Sequence, residues 1–218
     1  MAFLMPLDGY LDQIGSSRED VRRLERYAEI LVEWNSKMNL VASSTIPELW
    51  QRHFWDSAQL LPLLPRGTRR LVDLGSGAGF PGLVLAILGV REVHLIESVG
   101  KKAKFLQAVA DELAPNVTVH HERIEKIRTL RADVVTARAV TALPDLLSLA
   151  KPFWEKETTG LFMKGEKADV ELTEASKYWT FNLEKKPSLT DKTGMILMIE
   201  DLKVRRSAHD TKQSAKRR

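Results

Sequence analysis

The hydrophobic period of the chain changes near residue 69. Before it, apolar positions recur at helical spacing. Val21, Leu24, Tyr27, Ala28, Leu31 and Val32 fall on one helical face. Ser16 and Glu19 have the spacing of a capping box and predict its start, and Asn35, Ser36 and Asn39 favour a turn at its end. Thr45, Pro47 and Glu48 predict the opening of a second helix. Its buried stripe is Leu49, Trp50, His53, Phe54, Ser57, Ala58 and Leu61, and Pro62 and Pro65 stop it. From Arg69 on, short apolar runs alternate with helical patterns. Strands are expected at 70–74, 92–97, 117–121, 133–137 and 160–164, with helices at 81–89, 99–113, 141–155 and 167–178. Ser98 is the expected N-cap of the second of these helices, and Pro144 falls in the first turn of the third. Two further strands, 178–183 and 195–202, have no helix between them and predict an antiparallel hairpin at one sheet edge.

This alternation predicts an α/β fold: a Rossmann-like, doubly wound, mostly parallel sheet with right-handed crossovers. Residues 1–66 are read as a helical cap that forms one domain with the core at 67–202. Residues 203–218 are read as a disordered tail.

Composition narrows the picture. The 218 residues suit a single domain of ordinary size, and the 44% hydrophobic and 28% charged fractions are those of a globular chain. No apolar run is long enough to cross a membrane, and Met1–Pro6 lacks the basic region of a signal peptide, so a cytoplasmic protein with no membrane partner is expected. The absence of cysteine excludes disulfides, thiolate metal sites and a cysteine nucleophile. The five histidines show no metal-ligand spacing, and no metal is expected. The net charge of +4 comes from the C-terminus. Residues 203–218 hold seven basic groups against Asp210, and the rest of the chain is slightly acidic. Such a tail suits contact with phosphate.

The chemistry centres on residues 71–82. An apolar run containing Asp73 leads into Gly75, Gly77, Gly79 and Gly82, a turn that needs positive φ or close approach of a ligand to the backbone. Glu97 ends the next strand about 20 residues on, where an acid accepts hydrogen bonds from a ribose diol. Gly77, Gly79 and Gly82 also fit a dinucleotide spacing. Asp73 would sit beside the pyrophosphate of such a cofactor, which is unfavourable, whereas it suits the ammonium and sulfonium of S-adenosylmethionine. This sign argument favours the methyl donor. Phe80 is expected near the adenosine. The fourth strand ends at Thr136-Ala137-Arg138-Ala139, with none of the Asn/Asp-Pro-Pro-aromatic element used on exocyclic amines, and the chain lacks the cysteine used at pyrimidine C5. A purine N7 needs neither. Its lone pair is free, so no catalytic residue is required beyond orientation.

At this point the sequence resembles the bacterial 16S rRNA guanine-N7 methyltransferases of the RsmG or GidB family. The matching residues are Trp34-Asn35, Asn39-Leu40, His53, Asp56-Ser57, Asp73 through Gly82, Glu97-Ser98, Gly100-Lys101-Lys102, Phe105-Leu106, Arg123, Arg138-Ala139 and Lys164-Gly165. The resemblance implies a class I methyltransferase fold, S-adenosylmethionine as cofactor, and 16S rRNA in the small ribosomal subunit or an assembly intermediate as partner. It also suggests a monomer. By position it implies donor contacts from Gly75, Phe80, Ile124, Glu125 and Arg138, to which the residue argument adds Asp73, Gly77, Gly79 and Glu97. Candidates for RNA contact are Lys101, Lys102, Lys104, Arg123, Lys164 and the tail with Arg205 and Arg206. Arg138 is a candidate for either donor or RNA. Ala137, Val41 and the long basic tail depart from the family pattern. The alternatives are a methyltransferase of another RNA, a protein or a small molecule, a nicotinamide-dependent oxidoreductase, and a binding module that has lost activity. Asp73 argues against the oxidoreductase, and the intact Asp73 and Glu97 argue against the inactive module.

Overall fold

In the computed structural model, which describes residues 15–205, the alternating runs form seven strands. These are β1 (Arg70–Leu74), β2 (Glu92–Ile96), β3 (Val117–His120), β4 (Ala132–Arg138), β5 (Trp154–Lys164), β6 (Trp179–Pro187) and β7 (Met195–Val204). They make one sheet in the order β3-β2-β1-β4-β5-β7-β6. β1 pairs in parallel with both β2 and β4, so the strand order reverses there. In sheets of this kind ligands bind outside the carboxyl ends of the strands at that switch point. β7 runs antiparallel to β5 and β6, which places the expected hairpin at one edge.

The helices are α1 (Arg18–Asn35), α2 (Gly82–Ile87), α3 (Gly100–Leu113), α4 (Leu143–Ala150) and α5 (Ala168–Ala175). Alternation along β1 divides the core. Leu71 joins the apolar cluster formed with α1, α2 and α3, while Val72 and Leu74 join the one under α4 and α5. One cluster therefore runs without a break from Leu24 and Tyr27 of α1 to Leu83 and Phe105.

Several local expectations are corrected. The cap of α1 is Ser17 with Asp20, not Ser16 with Glu19; the Ser17 hydroxyl accepts from the Asp20 amide and the Asp20 carboxylate accepts from the Ser17 amide. The second helix is not one α-helix. Pro47 has no amide to donate, and the segment runs as a 3-10 turn (Ser43–Glu48), a π-helical stretch (Trp50–Trp55) and a short α turn (Asp56–Ala58). The expected stripe is still turned inward, except that Leu61 is only half-buried. Ser98 does not cap α3. Val99 is its N-cap, and the Glu97 carboxylate accepts the Val99 amide instead. The helix expected at 141–155 ends at Ala150. A 3-10 turn containing Pro152 follows, and β5 starts at Trp154. The tail from Arg206 and residues 1–14 lie outside the described residues.

Candidate active site

The switch point is built on β1. Asp73 lies directly opposite Thr136 of β4, and the Thr136 hydroxyl donates to Asp73 Oδ1 at 2.7 Å. The other oxygen, Oδ2, is buried and makes no well-formed hydrogen bond among the described residues, with the Gly82 backbone close enough to pull on the carboxyl. Desolvation pushes this carboxyl up to about 6, against the opposing pull of its hydrogen bonds and of Arg138. Gly82 closes the space above. A Cβ there would lie 2.9 Å from the Asp73 Cβ, so α2 can pack this closely on β1 only through glycine.

The turn itself holds Gly75, Gly77 and Gly79 at φ of +63°, +58° and +92°. A Cβ on Gly75 would strike Val140 at 2.9 Å, whereas one on Gly77 would meet only the Gly75 carbonyl, at 3.8 Å. The Phe80–Pro81 peptide is cis. Glu97, buried at the end of β2, ties the turn to α3. Its Oε2 accepts the Gly77 amide at 2.9 Å and its Oε1 the Val99 amide at 2.7 Å. A carboxylate has about four acceptor positions, so two remain.

These features fit a cationic cofactor. Asp73 and Glu97 give two buried carboxylates around the turn, Asp73 keeps an oxygen with no well-formed hydrogen bond, and residues 75–82 carry no basic group that would neutralise a pyrophosphate. Replacing Glu97 by Gln should present an NH2 to one of two amide donors. Glu97→Gln is expected to lose about 1–2 kcal/mol of stability, and to bind the methyl donor more weakly. Thermal melting and calorimetric titration of the same preparation measure both.

Beyond the turn, Arg138 ends β4 and is held from the cap. Its guanidinium donates to the Arg52 carbonyl at 3.1 Å, to Asp56 Oδ2 at 3.2 Å and to His53 Nδ1 at 3.0 Å. It also lies over the Phe80 ring, 5.1 Å from its centroid. Because Arg138 can only donate, His53 Nδ1 is an acceptor, so His53 Nε2–H donates to Thr45 Oγ1 at 2.8 Å. Thr45 then donates to the Ala42 carbonyl. Burial and the neighbouring Arg138 and Arg52 push the imidazole down to about 3, so His53 is neutral at physiological pH. Asp56 Oδ1 accepts from Gln59 and Thr190, which fixes residues 188–194 against the cap. Ala139 follows at φ +55°, a strained conformation for a residue with a Cβ, where the chain leaves β4.

Between these elements lies an open cleft of about 490 Å³. Its walls include Arg138 and Ala139 at the end of β4, Met163 to Gly165 at the end of β5, Glu171 of α5, and Ser188 and Thr190 before β7. The cleft adjoins the glycine turn but does not include it. The glycine turn at β1 and β2, where a donor is expected, and the cleft at β4 and β5 thus sit side by side.

The expected site residues separate accordingly. Gly75, Gly77, Gly79, Asp73 and Glu97 come together. Ile124 and Glu125 form a 3-10 turn after β3, and Glu125 lines a small hollow with Val140, the residue beside Gly75. The Phe80 ring is enclosed. It is 3% exposed and stacks on Tyr27 and His53 with Phe54 edge-on, because the apolar face of the cap covers it. Lys164 is not a free cation on an outer face: it donates to the Thr141 carbonyl at 2.6 Å and pairs with Glu171 at 2.8 Å. Lys101 and Lys104 are exposed and Lys102 half-exposed on α3, with no ion pair among the described residues, and Arg123 is exposed after β3. Arg205 is elsewhere. Met195 pairs with Lys164 at the cleft, while Val204 pairs with Trp179 at the other end of β7. That separation is about 30 Å.

Sequence reasoning missed Tyr27, Thr136, Glu171 and Thr190. Tyr27 reads as one more member of the apolar stripe, yet its hydroxyl donates to the Ala78 carbonyl and supports the turn from α1.

Solved structures place the fold in a class. The chain superposes on a glycopeptide N-methyltransferase complexed with S-adenosylmethionine with a TM-score of 0.59, at 8% identity over 68% of this chain and 93% of that one. It superposes on an O-methyltransferase from Bacillus cereus with a TM-score of 0.56, at 13% identity over 81% and 91%. The fold is that of the class I S-adenosylmethionine-dependent methyltransferases.

The particular family follows from sequence. Residues 20–197 match the model of GidB, rRNA small subunit methyltransferase G. Relatives named ribosomal RNA small subunit methyltransferase G are 53% identical in Rhodospirillum centenum, over 86% of this chain and 87% of the relative, and 49% identical in Paramagnetospirillum magneticum, over 88% and 94%. The chain belongs to the GidB family and is an S-adenosylmethionine-dependent methyltransferase.

Proposed function

We propose that this protein methylates N7 of one guanine in 16S rRNA, acting as a cytoplasmic monomer on the small ribosomal subunit or an assembly intermediate. One observation carries the choice of acceptor. The candidate bases nearest the end of β4 are already engaged. Both His53 nitrogens are hydrogen-bonded, and both Asp56 oxygens accept bonds. His53 has no free nitrogen, and Asp56 is held by Arg138, Gln59 and Thr190, which suits an acceptor that arrives with its own lone pair. When bound, S-adenosylmethionine supplies a methyl group on a sulfonium as the electrophile. The chain's residues then orient and exclude water. The glycine turn, Asp73 and Glu97 would hold the donor, with Ile124, Glu125 and Arg138 at the margins of its bay. The cleft would hold the base, and such orientation alone is worth several orders of magnitude in rate.

Among the described residues no helix is long and apolar enough to cross a membrane. Lys101, Lys102, Lys104 and Arg123 lie at the same end of the sheet as the cleft, where phosphates beside the target base would pass. The double change Lys101→Ala with Lys102→Ala is expected to weaken RNA binding and to lower the slope of log K against log salt by about 1.5. An unchanged slope would show that these lysines meet no phosphate. Arg205, about 30 Å away by strand length, would touch RNA remote from the target.

The test is incubation with labelled S-adenosylmethionine and, separately, small subunits, naked 16S rRNA, protein extract and free nucleosides. Label in subunits or 16S rRNA is expected. Label only in protein or nucleosides would overturn the substrate.

A further inference from the structure

Glu171 is only partly used. Its Oε2 accepts the Leu143 amide at 2.8 Å and pairs with Lys164 at 2.8 Å, while Oε1 takes part in no hydrogen bond among the described residues. The residue lines the cleft, where its side chain is 22% exposed. Lys164 donates to Glu171 and to Thr141, which leaves one of its three N–H groups. Arg138 spends three of its five N–H groups on Arg52, Asp56 and His53 and keeps two. The cleft therefore presents fixed cationic donors at Arg138 and Lys164, with the Glu171 Oε1 oxygen beside Lys164.

Their order is set by the sheet. β1, β4 and β5 are consecutive, with Leu74 beside Ala137 and Arg138 beside Met163. The glycine turn, Arg138 and Lys164 follow one another at steps of about 4.8 Å, and Glu171 sits against Lys164 and the start of α4. Around a guanine ring the edge atoms run N7, O6, N1–H and the N2 amino group. A guanine with N7 toward the donor bay would meet donors at O6 and the free carboxylate oxygen at N1–H and N2. Reading that edge requires the base to leave its stack, since pairing would hide it.

We propose that the cleft takes the target guanine flipped out of the RNA, and that Glu171 Oε1 selects it by accepting from N1–H and the N2 amino group while Lys164 or Arg138 donates to O6. This rests on the guanine-N7 reading above. Glu171 is a specificity residue here, and its bonds to Leu143 and Lys164 hold it in place for that task.

The experiment pairs a protein change with a change of one substrate atom group. 16S rRNA is prepared with guanine or inosine, which lacks the N2 amino group, at the methylated position. Wild-type protein and Glu171→Gln are compared on both by kcat/KM. Gln keeps one oxygen for Leu143 and Lys164 but turns an NH2 toward the base, and calorimetry checks that donor affinity is retained. Each single change is expected to lower kcat/KM about tenfold to hundredfold, and the two together little further. Multiplying losses, or wild-type protein that treats inosine as guanine, would overturn the role of Glu171. Failure of wild-type protein on the guanine RNA would overturn the underlying reading instead.

Discussion

Titrated with S-adenosylmethionine near neutral pH, Asp73→Asn is expected to bind about tenfold to hundredfold more weakly than wild type, the worth of one buried charge facing a cation. Asp73 is fully buried and supports the turn from below, so it acts through its charge. Its carboxyl titrates at about 6 rather than 3.8 because burial disfavours the anion. Wild-type affinity should therefore fall as pH drops through 6, and Asp73→Asn should lose that dependence. The stability sign is opposite to that of a salt-bridged acid. Between about pH 4 and 6 the folded state holds the proton more tightly than the unfolded chain, so this group's contribution falls as pH rises. A shift of about two units corresponds to about 3 kcal/mol. Wild type should accordingly gain up to that much stability relative to Asp73→Asn between pH 7 and pH 4. Parallel urea curves for the two proteins would contradict the assignment if their difference did not change with pH.

The second large effect belongs to Phe80. Its ring is enclosed by Tyr27, His53 and Phe54 and roofed by Arg138. Phe80→Ala should empty this space and cost about 3–5 kcal/mol. It also removes the surface beneath the Arg138 guanidinium, so KM for RNA should rise in the surviving folded protein. Urea denaturation gives the first quantity. A loss under about 1 kcal/mol would mean that the ring faces an open bay rather than a packed core.

The strands and the turn were legible because each carries a local signal. Buried parallel strands read as short apolar runs, and glycines at positive φ are spaced by the turn itself. The order of Asp73 before Gly75 held the cofactor argument in a few residues. The first half of β5 was hidden because Glu155, Lys156 and Glu157 are exposed there and show no apolar alternation. The segment from 43 to 58 carried a helical stripe, but with Pro47 in its first turn it runs as 3-10, π and α pieces. Serines at both 16 and 17 made the cap ambiguous by one residue.

The cleft was the least legible part. Asp56 meets Arg138 across 82 positions and Thr190 across 134, and Glu171 meets Leu143 across 28. No local pattern announces such contacts. Lys164 illustrates the cost: its sequence setting suggests a free phosphate ligand, while its carboxylate partner comes from α5. Phe80 similarly gives no local sign that α1 and the segment from 43 to 58 fold over its ring.

The proposed function is delivery of methyl from a donor site at β1 and β2 to a guanine N7 in the neighbouring cleft. It is tested most directly by treating 16S rRNA with the protein and S-adenosylmethionine, then with borohydride and aniline, which cleave RNA at N7-methylguanosine. Scission at one guanine, absent without donor and reduced with Asp73→Asn, is the predicted result. Labelled RNA with no scission would place the methyl on another atom and contradict it.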